Sequence, residues 1–205
     1  MKKYDARVLA GGKGLRSGLG YNKVFYLLDN GKSVLENACL PFFEDEDVKN
    51  VVVVCNEDVP FTHPKMIICK GGEERKDSVY NGLKECTSEF VFIHDGARPY
   101  LNKNDLTKLK EAMSKENGAI LASKAYETIK EVKDGYICKT LDRDFIYMAK
   151  TPQAFKRVLI KELYERDLSL SFTDDASVLE YYGYPVKVIE VSNHNLKLTN
   201  PEDFK

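Results

Sequence analysis

The sequence lacks the marks of several large function classes. Among its 205 residues, Lys plus Arg number 31 against 32 Asp plus Glu, so no global field favours nucleic acid or an anionic membrane surface. Any anion site must be local. The five cysteines (Cys39, Cys55, Cys69, Cys86 and Cys138) are odd in number and form no close pair, which argues against a disulfide framework or a zinc site. They read as free thiols in a reducing cytoplasm. No apolar run approaches the roughly 20 residues of a membrane span, and the first strand starts too early to leave room for a signal peptide. Repeats and low-complexity segments are also missing. A cytoplasmic protein of one domain, 1–205, is expected, and a chain of this length buries on the order of 70% of its unfolded surface.

Short apolar runs are present instead. Arg7–Ala10, Asn50–Cys55, Met66–Cys69, Phe90–His94, Ala119–Ala122 and Val186–Val191 alternate with helical patterns. This is the rhythm of an α/β fold, a mostly parallel sheet flanked by helices. Ser33 and Glu36 form a capping box that predicts a helix start, and further helices are expected over Lys76–Cys86, Asn104–Ser114, Lys156–Arg166 and Asp174–Tyr182. One stretch breaks the rhythm. Two β-prone runs flank Lys133-Asp134-Gly135, and Asp-Gly between such runs signals a hairpin. It predicts a β-arm over about 126–147, packed on its own domain or on a second subunit; an edge hairpin of the main sheet fits the composition equally well.

The chemistry-bearing residues begin at Leu9-Ala-Gly-Gly-Lys-Gly-Leu-Arg16, a glycine turn with two cations directly after the first strand. Glycines let backbone N–H groups converge on an anion, and Lys13 and Arg16 add charge, so a nucleoside triphosphate is the expected guest. No Gly-Lys-Ser/Thr closes a P-loop, and Ser17 replaces the third glycine of a dinucleotide fingerprint. A plain tight turn is the alternative. Asp95, at the end of the apolar strand Phe90–His94, is placed to hold Mg2+ beside nucleotide phosphates, with Gly96 and Arg98 next to it. A turn cap is its competing role, and His94 reads as a core residue. Gly71-Gly72-Glu73 leads into a helix containing Ser78, a second place for an anion or a base edge. Thr140-Leu-Asp-Arg, Thr151-Pro-Gln and Thr173-Asp-Asp-Ala fall in or near loops, and spacing alone does not make them converge. Lys197, between Leu196 and Leu198, fits a solvated position as well as a site. Nothing suggests a Ser-His-Asp or Cys-His arrangement.

Taken in order, Leu9–Arg16, Gly71–Val79, His94–Pro99, Thr128–Lys130, Thr140–Arg143, Thr151–Gln153, Thr173–Ala176 and Leu196–Asp203 resemble the 2-C-methyl-D-erythritol 4-phosphate cytidylyltransferases. The resemblance implies a Rossmann-like nucleotidyltransferase fold, a homodimer interlocked by the arm, and transfer of CMP from CTP to a polyol phosphate with Mg2+ or another divalent cation. It casts Arg16, Lys23, Thr128, Arg143 and Lys197 as catalytic and Asp95 as the metal ligand. Ala10, Gly11, Gly12, Gly14, Gly72, Glu73, Ser78, Gly96, Arg98 and Thr151 become substrate-binding, with Thr128 and Arg143 serving the partner subunit's site. Departures include Asn22-Lys23-Val24 for Pro-Lys-Gln, Gly96 for alanine, Tyr147 for tryptophan, Lys150 for glutamine and His194 for aspartate. Three other readings stand beside this one: a ribitol 5-phosphate cytidylyltransferase, a non-catalytic nucleotide-binding homologue, and a generic sugar-phosphate nucleotidyltransferase that takes another base.

Overall fold

The computed structural model describes residues 3–11, 17–72, 75–166 and 172–204. Seven strands form one sheet: β1 (Tyr4–Leu9), β2 (Val48–Val54), β3 (Met66–Cys69), β4 (Phe90–Asp95), β5 (Gly118–Lys124), β8 (Tyr147–Lys156) and β9 (Lys187–Glu190). Their order across the sheet is β3-β2-β1-β4-β8-β5-β9. All neighbours run parallel except β8, which is antiparallel to both β4 and β5. β6 (Lys130–Lys133) and β7 (Tyr136–Thr140) pair only with each other, as a separate ribbon.

Period-two alternation distributes the core over both sheet faces. Val51, Val53, Ala6, Val8 and Phe92 pack with α1 (Val34–Phe43) and α3 (Lys103–Ala112). Val52, Val54, Val91 and Ile93 face the opposite layer of α2 (Arg75–Glu85), α4 (Arg157–Arg166) and α5 (Ala176–Tyr181). The start of α1 follows from its cap: Ser33 Oγ accepts the Glu36 N–H at 3.0 Å. The Glu36 carboxylate turns instead to Lys32, at 2.6 Å. Among the described residues no helix is long and apolar enough to cross a membrane.

The hairpin forms where expected. Asp134 (φ 51°) and Gly135 (φ 84°) make a two-residue turn with both φ values positive, the geometry that matches strand twist. The ribbon stands apart from the main sheet, so the edge-hairpin alternative is not the one adopted.

Thr151-Pro-Gln is corrected. These residues lie inside β8, a ten-residue strand at the middle of the sheet, not in a loop. Proline ordinarily argues against an interior strand because it has no N–H to donate. Here the register jumps from Ile120↔Gln153 to Leu121↔Lys150, so Thr151 and Pro152 sit outside the β5 pairing. A bulge removes the demand that Pro152 could not meet.

Candidate active site

The connection from β1 to β2 leaves β1 on one side, and β4 lies on its other side, so the sheet's switch point is the crevice between the carboxyl ends of β1 and β4. Gly96 N–H bonds Leu9 O at 2.8 Å across this junction. A Cβ at Gly96 would stand 2.8 Å from Leu9 O and 3.0 Å from Leu35 Cδ1, so the glycine permits the close approach.

On the β1–β2–β3 side the site is built largely of backbone. Ala10 is buried, with its N–H bonded to Val54 O at 2.9 Å. The next residue, Gly11, is exposed near Ser78. Ser78 Oγ accepts the Gly72 N–H at 3.1 Å, and Asn56 Oδ1 accepts that of Gly71 at 2.9 Å. Gly11 and the Gly71-Gly72 turn thus both lie at Ser78. Lys23 opens a 3-10 turn (Lys23–Phe25) whose preceding Asn22 donates to Ala10 O at 2.8 Å and to Glu57 Oε1 at 2.9 Å. That amide ties the mostly buried Lys23 to the glycine turn without the proline usual in the resembled family. Lys23 also helps hold the Asp203 carboxyl below its ordinary range, after the Thr199 and Asn200 N–H groups that bond it. Gly12, Gly14, Arg16 and Glu73 lie outside the described residues.

On the β4–β8 side the site is made of charged side chains. Lys197 Nζ bonds Asp95 Oδ2 at 2.8 Å, and Arg98 Nε stands 3.5 Å from the same oxygen. Arg98 also donates to Asn195 O at 2.9 Å. Lys197 reaches this place because Leu198 N–H bonds Ala97 O at 2.9 Å while the Leu198 side chain enters a small core with Val34 and Phe204. Lys197 remains exposed, with 40% of its side chain accessible, so it is both a solvated position and a partner of Asp95.

A continuous chain of hydrogen bonds braces the acid. Asp95 N–H donates to Thr151 Oγ1 at 3.0 Å, where the β4–β8 ladder has ended. Thr151 Oγ1 lies 3.0 Å from His94 Nδ1, and His94 Nε2 lies 3.1 Å from Arg98 O. A carbonyl oxygen only accepts, so Nε2 carries the proton and Nδ1 accepts from the threonine. His94 is fully buried, and burial pushes its pKa down to about 4 against a raising influence of Asp95. It is a neutral structural link, as its sequence position suggested.

Three residues that sequence reasoning missed hold the motifs together. Asn195, fully buried, donates to Thr151 O at 2.8 Å. Gln153 Oε1 accepts from the Asp175 and Ala176 N–H groups at 3.0 and 3.1 Å, and its Nε2 donates to Asp174 Oδ2 at 2.7 Å. Thr151-Pro-Gln and Thr173-Asp-Asp-Ala therefore do converge, with the strand amide serving the start of α5. Asn56 is the third; its only signal was that it follows an apolar run. Thr128 and Arg143 fall elsewhere, exposed at the base of the arm, where Arg143 donates to Tyr126 O at 2.8 Å.

Among the described residues no cluster of three or more His, Cys, Asp or Glu could cage a metal ion. A single carboxylate at a strand end, beside the cations Arg98 and Lys197, is the kind of ligand offered to an ion that takes its remaining ligands from phosphate oxygens and water. Mg2+ is of that kind.

Comparison with known proteins names the arrangement. A sequence model of the 2-C-methyl-D-erythritol 4-phosphate cytidylyltransferase family matches residues 6–205. The enzyme of that name from Aquifex aeolicus is 40% identical over 98% of this chain and 94% of its own length; that from Halalkalibacterium halodurans is 36% identical over the same shares. Among solved structures, the Francisella tularensis enzyme of that name superposes with a TM-score of 0.85 at 33% identity, covering all of this chain and 97% of the other. The 4-diphosphocytidyl-2C-methyl-D-erythritol synthase of Anaerococcus prevotii gives 0.86 at 30% identity, covering 99% and 93%. These relatives do not favour the ribitol or the non-catalytic reading. With ordered motifs, sheet topology and near-complete coverage in agreement, the chain belongs to the 2-C-methyl-D-erythritol 4-phosphate cytidylyltransferase family.

Proposed function

We infer that this chain transfers CMP from CTP to 2-C-methyl-D-erythritol 4-phosphate and releases pyrophosphate, a step of isoprenoid precursor synthesis. The observation that carries the reading is the family match over residues 6–205, joined to a cation-lined crevice at the sheet's switch point. An oxygen of the acceptor's phosphate attacks the α-phosphorus of CTP in line. The new O–P bond forms as the bond to the β-phosphate breaks, and the electron pair leaves with pyrophosphate. A phosphate monoester is already a nucleophile at neutral pH, so no general base is required. Catalysis then rests on positioning and on neutralising charge.

Roles follow from place. The glycine turns and Ser78 suit the nucleotide; Lys23, Lys197 and, by resemblance, Arg16 suit its phosphates. Lys197 is well placed to exchange its bond with Asp95 for a phosphate oxygen. Asp95 would hold Mg2+ together with triphosphate oxygens, and a bound ion of this kind neutralises phosphate charge. Arg98 and Thr151 suit the acceptor. The arm leaves Val132, Tyr136, Ile137 and Phe145 exposed, an apolar surface that a second copy of the chain would cover, bringing Thr128 and Arg143 to the partner's site. Buried free thiols such as Cys39 and Cys86 and soluble substrates agree with a cytoplasmic enzyme.

The test is Mg2+-dependent pyrophosphate release from CTP, with methylerythritol 4-phosphate and ribitol 5-phosphate offered separately and ATP, GTP and UTP as controls. Turnover only with CTP and methylerythritol 4-phosphate is expected. Activity confined to ribitol 5-phosphate, or CTP binding without turnover, would overturn the assignment.

A further inference from the structure

Lys150 is one of the few buried cations among the described residues, and its surroundings are unusual for one. Its Nζ donates to Asn193 Oδ1 at 2.7 Å, a neutral partner, and Ser123 Oγ stands 3.5 Å from the same amide oxygen. Among the described residues no carboxylate lies within ion-pair distance of it. Arg98 is close enough to add like-charge repulsion, and burial together with that repulsion weakens the ammonium's hold on its proton. A buried ammonium facing an amide and a guanidinium is expensive in the free protein. An incoming anion would relieve that cost.

Position says which anion. The strand order sets the glycine turns of β1 and β3 on one side of Asp95 and Lys150 on the other, on β8, next to Thr151. Asn193, which holds the ammonium, lies two residues before Asn195, the residue that binds Thr151 O and accepts from Arg98. Arg98 and Lys150 thus bond the loop after β9, which itself carries Lys197; the acids beside this loop are Asp95, held by Arg98 and Lys197, and Asp105, next to His194. We propose that Lys150 is an acceptor-binding residue whose ammonium engages the phosphate monoester of the polyol phosphate, a charge supplied where the family usually carries a neutral glutamine. This rests on the cytidylyl-transfer reading above.

The variants K150M, K150Q and K150R separate charge from packing. Methionine keeps the length, glutamine keeps an amide hydrogen bond, and arginine keeps the charge. In steady-state pyrophosphate release, K150M and K150Q are expected to raise KM for methylerythritol 4-phosphate tenfold or more. KM for CTP should stay within about twofold, and K150R should recover most of the loss, since only it restores a cation. Calorimetric binding of methylerythritol 4-phosphate, in the presence of a non-hydrolysable CTP analogue, should weaken in K150M by the same factor. An unchanged acceptor KM in K150M overturns the proposal. So does a rise in the CTP KM instead, or a joint fall of kcat and melting temperature that glutamine repairs as well as arginine does. The wild-type protein tests the underlying reading separately: acceptor binding that depends on Lys150 without any turnover would sink the cytidylyl-transfer reading and leave the Lys150 assignment standing.

Discussion

Thr128 and Arg143 stand at the base of a ribbon whose two strands are exposed at every residue, whereas Asp95, Arg98 and Lys197 are held by contacts among four separate stretches of chain. The ribbon depends on local sequence: an Asp-Gly turn and nine strand residues are enough to shape it. The Asp95 cluster depends on the completed fold, since His94, Thr151, Asn195 and Ala97 must all arrive before the acid is oriented. A two-stranded ribbon alone is marginal in water, so the arm's side chains gain a fixed place only against another surface. One region is oriented by the completed fold, and the other is shaped by its own turn.

The sharpest way to break this contrast is to remove charge from the preorganised side. Lys197→Ala, Lys23→Ala or Arg16→Ala should lower turnover by about 10²–10³, the typical cost of losing one transition-state contact. Near-native pyrophosphate release from any of them would remove that residue from the reaction. The dependence of the arm on a partner is tested by mixing. If sites combine the body of one subunit with the arm of the other, K197A and R143A proteins, each inactive alone, should recover about a quarter of wild-type activity after subunit exchange. No recovery would confine each site to one chain.

A smaller effect concerns stability. The folded pKa of His94, about 4, lies below the ordinary value of 6.5, so the unfolded chain binds the extra proton first as pH falls. The contribution is fully present above about pH 6.5 and is lost as pH drops toward 4, amounting to about 3 kcal/mol. Urea melts should show this slope, and His94→Gln should flatten it. Smallest of all, Val132→Ser or Ile137→Ser on the ribbon should change the unfolding free energy of an isolated chain by no more than about 0.5 kcal/mol, because both side chains are already exposed. If the ribbon joins two copies of the chain, sedimentation at low concentration should show weaker self-association in these variants.

What the sequence makes legible divides along the same line. Features set by near neighbours were readable: the Ser33 cap, β3 at Met66–Cys69, and the turn at Asp134-Gly135. Strand β8 was not, because Pro152 contradicts an interior strand until the bulge opposite Ile120 and Leu121 is known. The resemblance drew Asp95, Arg98, Thr151 and Lys197 into one site, and the structure brings them together. The amides that brace the surrounding motifs, Asn22 at Ala10, Asn56 at Gly71, Gln153 at the start of α5 and Asn195 at Thr151, carry no charge or glycine signature to mark them. Lys150 was visible as an odd residue, but its burial beside Arg98 emerges only when β8 enters the sheet between β4 and β5.

The bulge in β8 also sets a rule for how this gene can change. From Gln153 to Lys150 the strand advances three residues while β5 advances one, an offset of two. Because side chains alternate faces, an even offset preserves parity, and an odd one exchanges inside for outside along everything beyond it. Deleting Thr151 or Pro152 alone would therefore send either Lys150 or Gln153 to the wrong face of the sheet. Loss of both would keep the faces correct while erasing the hydroxyl that holds Asp95. Loss of Thr151 would remove the hydroxyl that accepts the Asp95 N–H, and loss of either residue would shift Lys150 and Gln153 relative to each other, and with them the contacts to Asn193 and to the start of α5.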